Sequence, residues 1–177
     1  YKSGQQLIRT LIETRAKGGN LLLNVGPKPD GELPIEQEDR LREVAFWMFV
    51  NGEAIHNARP WVVTNEGGVW FTKNGKDDTV YAIVTDEWKY GQPKTLLLKS
   101  VAATPRTAVS VLGQTGEILE YQPKVAPRAS FEQTPDGLKI TAWKAQRLYT
   151  NNQWPNPVVI RITNAQSGVT PPRVTTV

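Results

Sequence analysis

The chain has 177 residues, of which 39% are hydrophobic and 21% charged, a composition typical of one or two compact soluble domains rather than of a disordered protein. Its 21 basic and 17 acidic residues give a net charge of +4 that is spread along the sequence, so the charge pattern does not favour nucleic-acid binding. The chain contains no cysteine, a single histidine and no apolar run of about 20 residues, which excludes disulfides, cysteine nucleophiles, a histidine metal cluster and a membrane-spanning helix.

The first predicted element is an amphipathic helix. Ser3 is a suitable N-cap residue, because a serine hydroxyl can accept a hydrogen bond from a free main-chain N–H group at a helix start. The double glycine Gly18-Gly19 provides the left-handed turn that ends the helix. The apolar positions share one face and are Leu7, Ile8, Leu11 and Ile12.

A short strand is predicted directly after this helix, over residues 20–25. Its centre is Leu21-Leu22-Leu23, and a strand that is apolar on consecutive residues has both faces buried, as in a parallel sheet covered by helices. It is the only such strand that the sequence indicates. Because a parallel strand needs neighbours on both edges, we expect it to be the end of a larger α/β domain.

A loop and a second helix follow. Residues 26–33 are rich in glycine and proline, and Asp30-Gly31 is the turn signal among them. Pro34 suits the first turn of a helix, and Asn51-Gly52 suits its end. The apolar stripe of this helix consists of Leu41, Val44, Ala45 and Met48, broadened by Phe46, Trp47 and Phe49.

The pattern changes after Arg59-Pro60-Trp61, where short runs of β-branched and aromatic residues recur between turns. This spacing is typical of an antiparallel sandwich of two sheets. The segment from Ala165 to Val177 lacks periodicity, and we expect a mobile tail there. The predicted strands are residues 61–64, 69–72, 79–85, 95–99, 108–112, 118–121, 129–132, 138–143 and 158–163.

Several of these segments resemble the α-L-fucosidase family of glycoside hydrolases. The resemblance is carried by residues 18–27 followed by Asp30-Gly31, and by residues 51–55 with Arg59-Pro60-Trp61 just after them. Tyr1-Lys2-Ser3 and the helix behind it are similar to the family's approach to its final barrel strand. These motifs occupy about the first third of the chain, in the family's order and spacing.

The resemblance implies a fold that is α/β followed by all-β. Residues 1–58 would be the last helix, strand and helix of a catalytic (β/α)8-type barrel, residues 59–165 a C-terminal antiparallel β-sandwich, and residues 166–177 a flexible tail. His56 stands where the family usually has tyrosine. We expect His56 to pack at the junction of the two domains and assign it no catalytic role.

The resemblance also implies a retaining exo-α-L-fucosidase, which removes terminal α-L-fucose with two carboxyl groups about 5–5.5 Å apart. In the family both carboxyl groups lie on earlier strands and loops, so we assign no catalytic residue to this chain and expect it to be inactive alone. No metal or organic cofactor is implied. The implied partners are a fucosylated glycan or oligosaccharide and the missing N-terminal barrel segment, with no nucleic acid and no membrane. The absence of cysteine and of glycosylation sequons fits a bacterial source, and because bacterial members of the family are often exported, the resemblance implies the periplasm or the extracellular space.

Active sites of such barrels lie beyond the carboxyl ends of the strands, so residues 26–33 are expected to border the sugar pocket. Asn24, at the strand end, is the candidate for substrate contact, although a hydrogen bond from Asn24 to the following loop is the more common role of such a residue. Asp30 and Glu32 invite assignment as a catalytic pair, but turn and helix-start preferences account for both. Lys28 has the reach to approach the pocket rim, and solvent exposure is its default.

Two alternatives concern the predicted sandwich, which would either bind carbohydrate without catalysis or only stabilise the barrel. For carbohydrate binding, the candidates are Trp88 and Trp154, which lie in turn-rich segments where a ring is more readily exposed. Trp70 and Trp143 lie in apolar, alternating predicted strands, so we expect them in the core, and we expect Trp61 between the domains.

Overall fold

The computed structural model describes residues 1–119, 122–145 and 156–169. Helix α1 and helix α2 come first, and a short 3₁₀ helix, Gly52–Ala54, continues α2. Antiparallel strands follow, as predicted, but the strand predicted between the two helices is not formed in the described chain. The bounds are α1 Gly4–Ala16, α2 Ile35–Asn51, β1 Ala58–Glu66, β2 Val69–Asn74, β3 Val80–Val84, β4 Pro93–Leu98, β5 Val101–Val111, β6 Ser130–Thr134, β7 Gly137–Trp143 and β8 Val158–Ser167.

The strands form two sheets, one of five strands in the order β1-β2-β3-β8-β5 and one of three strands in the order β4-β7-β6. A shared hydrophobic core lies between the sheets, with Phe71 and Ile160 on one side and Leu138 and Ile140 on the other. The helices cover the opposite face of the five-stranded sheet. A second core fills that contact and consists of Ile8, Ile12, Trp47, Ala54, Ile55, Tyr81, Ile83, Leu112 and Val159. The described part of the chain is therefore layered as helices, five-stranded sheet and three-stranded sheet.

Strand β3 is buried along its whole length because both faces of the five-stranded sheet are covered. Val80, Ala82 and Val84 enter the core between the sheets. Tyr81 and Ile83 enter the core beneath the helices. The expectation that residues 20–25 would be the only strand with two buried faces was therefore wrong, and such a strand need not be parallel.

The segment at residues 20–25, predicted as a strand, pairs with no strand of the described chain. Its apolar side chains are not buried as predicted: Leu22 is 87% exposed, Leu23 38% and Val25 41%, and Leu21 is half-buried. The physical reason is that a strand exists only as part of a sheet, and both sheets here are built from residues after 57. Hydrophobicity alone thus did not make this segment a strand.

Three other predictions also differ from the structure. Ile118 and Leu119 lie outside the strands, and the rest of the predicted strand at residues 118–121 lies outside the described residues. The predicted start of the tail, at residue 166, is wrong. Gln166 and Ser167 still pair with β5 at the end of β8. Residues 170–177 lie outside the described part. His56, expected at a domain junction, is exposed at the end of the 3₁₀ helix.

The predicted N-cap of α1 is confirmed as a capping box. The Ser3 hydroxyl accepts a hydrogen bond from the Gln6 main-chain N–H at 3.2 Å, and the Gln6 side chain accepts one from the Ser3 N–H at 2.9 Å. Gly18 ends the helix with φ +84°, a backbone conformation that glycine adopts without a steric cost. Within the described ranges, neither α-helix combines the length and the apolar character that crossing a membrane requires.

Candidate functional site

A cavity of about 370 Å³ lies between the start of α1, the segment after α1 and the first turns of α2. Leu7 and Leu41 supply apolar surface, while Asn24, Gln37 and Arg40 supply polar groups. We refer to it as the Asn24 cavity. A concave apolar site with a few convergent polar groups is the usual form of a small-molecule site, so this cavity is the candidate functional site.

The Gln37 side chain fixes the main chain at one edge of the Asn24 cavity. Its Oε1 accepts a hydrogen bond from the Gly26 N–H at 2.8 Å, and its Nε2 donates one to the Gly26 carbonyl oxygen at 3.1 Å. The position of a Cβ atom on Gly26 has no neighbour within 4 Å, so the space above this glycine is open. Gln37 therefore holds an accessible piece of backbone in place beside Asn24.

Asn24 lines the cavity with an exposed side chain. No hydrogen bond joins its side chain to any other residue in the described ranges, so the expected bond to the following loop is not formed there. An asparagine amide offers two donors and one acceptor oxygen, which suits contact with sugar hydroxyl groups. Contact between Asn24 and a substrate remains a prediction.

The loop carboxylates Asp30 and Glu32 both make contacts within the turn. Asp30 Oδ1 accepts a hydrogen bond from the Glu32 N–H at 3.0 Å, which is the expected turn role of an aspartate before glycine. The Lys28 ammonium lies 2.9 Å from Glu32 and 3.5 Å from Asp30, so one exposed lysine forms ion pairs with both carboxylates. Lys28 thus pairs with both carboxylates within the loop, and the absence of a catalytic role for Asp30 and Glu32 stays a prediction.

Sequence reasoning missed Gln37 and Arg40 at this cavity. Both lie in the first turns of α2, where charge and capping preferences describe only how the helix begins. A side-chain amide that pairs with backbone eleven residues earlier leaves no periodic signal in the sequence. Only the return of α2 past residues 23–26 brings these groups together.

Arg15 joins two of the sequence motifs that are far apart in the chain. Its guanidinium donates to the Gly19 carbonyl oxygen at 2.8 Å, to Asn20 Oδ1 at 3.0 Å and to the Ala58 carbonyl oxygen at 2.8 Å. Close by, Pro60 Cγ lies 3.0 Å from the Cβ position of Gly18, so a larger residue there would collide with the ring. The segment at residues 18–20 is thereby fixed against the start of β1.

The structure places several tryptophans differently from the prediction. Trp88 is only 6% exposed and its indole N–H donates to the Gln92 carbonyl oxygen at 2.9 Å, so the prediction of an exposed ring was wrong. The tight turn after it folds the chain back over the ring. Trp154 lies outside the described residues. Trp61 was expected between the domains and instead packs against the core between the sheets, while Trp70 and Trp143 are half-buried.

Two titratable groups in the described ranges have shifted pKa values. Burial raises the pKa of Tyr81, and a hydrogen bond with the Asn74 side chain opposes this rise. Burial also lowers the pKa of Lys144, against the opposing charge of Glu87. Neither residue lines the Asn24 cavity, so these shifts concern stability. No group of three or more metal-ligating His, Asp or Glu side chains occurs among the described residues.

Comparison with known proteins gives a consistent set of relatives. Residues 1–53 match the family model for alpha-L-fucosidase. The alpha-L-fucosidase of Branchiostoma floridae is 43% identical over 116 residues, which cover 64% of this chain and 25% of that protein. The tissue alpha-L-fucosidase of Bos taurus is 46% identical over 109 residues, which cover 60% of this chain and 22% of that protein.

A solved structure is similar over nearly the whole chain. The crystal structure of the Thermotoga maritima alpha-fucosidase in complex with fucose matches with a TM-score of 0.64 and 27% identity, over 92% of this chain and 34% of that one. The chain thus spans about a quarter of the length of the curated relatives and about a third of the solved relative. On these matches, the chain belongs to the α-L-fucosidase family, as a piece that corresponds to the C-terminal part of those proteins.

Proposed function

We propose that the chain is the C-terminal part of a retaining exo-α-L-fucosidase, which releases terminal α-L-fucose from glycoconjugates. The observation that carries this proposal is that residues 1–53, which match the family model, include every residue that lines the Asn24 cavity. The fucose bound to the Thermotoga maritima relative supports a fucosylated glycan or oligosaccharide as the substrate.

The proposed chemistry is a double displacement by two carboxyl groups that precede this chain in the intact protein. One attacks the anomeric carbon and forms a covalent glycosyl-enzyme, and the other protonates the leaving oxygen and later deprotonates the attacking water. The residues of this chain would bind rather than react: Asn24 would hydrogen-bond the sugar, and Gln37 would hold Gly26 beside it. We propose no metal or organic cofactor.

We also propose that residues 20–25 become the last strand of a (β/α)8-type barrel, with α2 as its last helix. The support is the unpaired segment itself, together with Phe46 and Phe49 on the outer face of α2, where Phe49 is 88% exposed. Exposed apolar groups of this size on neighbouring elements mark a surface that another part of a protein covers. The preceding part of the intact protein is the proposed cover.

The sheets at residues 59–165 would stabilise the barrel as a β-sandwich. The shared core between them supports the sandwich, and the core beneath the helices supports the stabilising role, because it ties α1 and α2 to the five-stranded sheet. The alternative of carbohydrate binding through Trp88 loses its support with the burial of that ring. We retain export to the periplasm or the extracellular space as part of the proposal, to be checked by cell fractionation.

The test is hydrolysis of an aryl α-L-fucoside by the intact protein, followed by NMR to identify the anomer released first. We expect turnover with initial release of the α-anomer, and no turnover by residues 1–177 alone. Release of the β-anomer would reject the retaining mechanism. The absence of turnover on any fucoside by the folded intact protein would reject the fucosidase assignment, and activity of residues 1–177 alone would reject the placement of both carboxyl groups.

A further inference from the structure

A second cavity, of about 700 Å³, lies at the end of the five-stranded sheet. Its walls come from β1, from the end of β2 and the turn that follows, from β5 and from the end of β8, and they include Trp61, Lys73, Asp78, Pro105 and Arg106. We refer to it as the bulge cavity. It is formed entirely by residues after 60, so the elements that build it differ from those at the Asn24 cavity.

Three backbone irregularities meet at the bulge cavity. The pairing register shifts in β1 between Pro60 and Asn65, and in β5 between Ala103 and Ala108. Asn164, on β8, has a φ of +50° in the left-handed region. Bulges and left-handed non-glycine residues are enriched beside binding sites, where they redirect side chains. Each irregularity here places residues on the wall of the same cavity.

The wall is held rigidly by hydrogen bonds that involve Asn164. The hydroxyls of Thr104 and Thr107 each donate to the Asn164 carbonyl oxygen at 2.8 Å. The Asn164 side-chain amide donates to the Arg106 carbonyl oxygen at 3.0 Å. These bonds tie the bulge of β5 to β8, so the cavity is formed before any ligand arrives. A preformed site loses less conformational freedom when it binds.

The side chains on the cavity wall indicate which class of ligand could bind there. The indole N–H of Trp61 donates to the Ser100 hydroxyl at 3.2 Å, which fixes the orientation of the ring, and exposed Pro105 adds a second apolar surface. The Lys73 ammonium lies 3.6 Å from the Asp78 carboxylate, so this pair contributes no net charge. Arg106 adds one positive charge that no carboxylate of the described residues pairs with, which is less charge than a phosphate or nucleic-acid site presents. One carboxylate is also too few for a divalent cation.

We propose that the bulge cavity binds a neutral carbohydrate. The fixed indole of Trp61 would contact the apolar face of a sugar ring, and Lys73, Asp78 and Arg106 would hydrogen-bond its hydroxyl groups. Binding there requires no hydrolysis, so this inference goes beyond the proposed function. Sequence reasoning placed Trp61 between domains and missed this site, because the bulges that open it leave no regular pattern.

The test is isothermal titration of the intact protein with lacto-N-tetraose, a neutral tetrasaccharide without fucose that is therefore a poor ligand for a fucose pocket. We expect binding by the parent protein, about tenfold weaker binding by Trp61→Leu and about fivefold weaker binding by Arg106→Ala. Arg128→Ala is the matched control, because this exposed arginine pairs with Glu117 away from the bulge cavity, and it should bind as the parent does.

The outcomes separate this inference from the proposed function. Loss of affinity in the Arg106 variant with an unchanged Arg128 variant supports the bulge cavity, even if Trp61→Leu fails to fold. No binding by the parent, or equal affinities for the parent and both arginine variants, would overturn it. Fucoside hydrolysis is expected to be unchanged in Arg106→Ala. An inactive protein that still binds the tetrasaccharide would reject only the proposed function.

Discussion

The indole N–H of Trp47 donates a hydrogen bond to the main-chain carbonyl oxygen of Pro157, with 2.8 Å between nitrogen and oxygen. Trp47 lies on α2 and is 1% exposed, while Pro157 directly precedes β8. Strand β8 pairs with the buried strand β3 in the middle of the five-stranded sheet. This contact therefore fastens the helical layer to the most buried part of the sheet.

Replacement of Trp47 by phenylalanine should lower the free energy of unfolding by about 2–3 kcal/mol, because it removes buried ring volume and leaves a buried carbonyl oxygen without its donor. Urea denaturation followed by far-UV circular dichroism measures this. Trp70→Phe is the matched control, since the half-buried Trp70 has no indole hydrogen bond within the described residues, and it should cost less than about 1 kcal/mol. Equal losses in the two variants would contradict the role of the Trp47 bond.

Glu66 should stabilise the connection between the two sheets. Its carboxylate accepts hydrogen bonds from the main-chain N–H groups of Lys99 at 2.7 Å and Ser100 at 2.8 Å, in the turn between β4 and β5. Glu66→Gln should cost about 1–2 kcal/mol, because an amide has one acceptor oxygen and no charge. Glu132→Gln, at an exposed position of β6, is the control and should leave the urea midpoint unchanged. An unchanged midpoint for Glu66→Gln would refute this role.

Elements with a local signal were predictable from the sequence. The capping serine and the apolar stripe define α1, and the turn signals separate most of the strands. Residues 80–84 were also recognised as a strand, but their burial on both faces was not, because it depends on helices that arrive from the start of the chain. The periodicity of a segment depends on that segment's own residues, so it does not show which other layers of the fold cover it.

Residues 20–25 show a second limit of prediction from the sequence. Their composition indicates a buried strand, yet a strand also needs neighbours, and the described chain supplies none. At the candidate site, Asn24 was singled out from its place at the end of this segment, and it lines the cavity, while its contact with a sugar stays a prediction. Gln37 was not, because its contact with Gly26 exists only after α2 has folded back. The prediction that the Trp88 ring is exposed was wrong for a related reason. The composition of the turn suggested an exposed ring, but the turn itself covers it.

Replacement of Arg15 by lysine should lower the stability of the fold. Its planar guanidinium reaches the Gly19 and Ala58 carbonyl oxygens at once, and a lysine ammonium lacks this fork geometry. Arg15→Lys should lower the free energy of unfolding by about 1–2 kcal/mol. Arg42→Lys is the matched control, because Arg42 forms only exposed ion pairs on α2, and its effect should stay within about 0.5 kcal/mol. Full stability of Arg15→Lys in urea would show that the fork is dispensable.

Gln37 should affect catalysis if the Asn24 cavity borders the fucose pocket. Gln37→Met removes both hydrogen bonds to Gly26 at similar side-chain length, and we expect about a tenfold lower kcat/KM for an aryl fucoside in the intact protein. Gln37→Glu retains the acceptor for the Gly26 N–H, so its kcat/KM should lie between those of the parent and of Gln37→Met. Glu36→Ala, exposed in the same turn, should match the parent. Unaltered kinetics in Gln37→Met, at an unchanged melting temperature, would remove Gly26 from the pocket.

Tyr81 should make the protein sensitive to alkaline pH. Its ordinary pKa is 10.0, and burial raises the pKa in the folded state. Between the unfolded and folded pKa values the native state retains a proton that the unfolded state has lost, so the free energy of unfolding falls as pH rises from about 10. Tyr81→Phe has no phenolic proton to lose, so its free energy of unfolding should decrease less steeply as the pH rises. Urea midpoints measured from pH 8 to pH 11 give the comparison, and parallel curves for the two proteins would refute it. The depressed pKa of Lys144 acts in the opposite direction, and because it is common to both proteins it cancels in their difference.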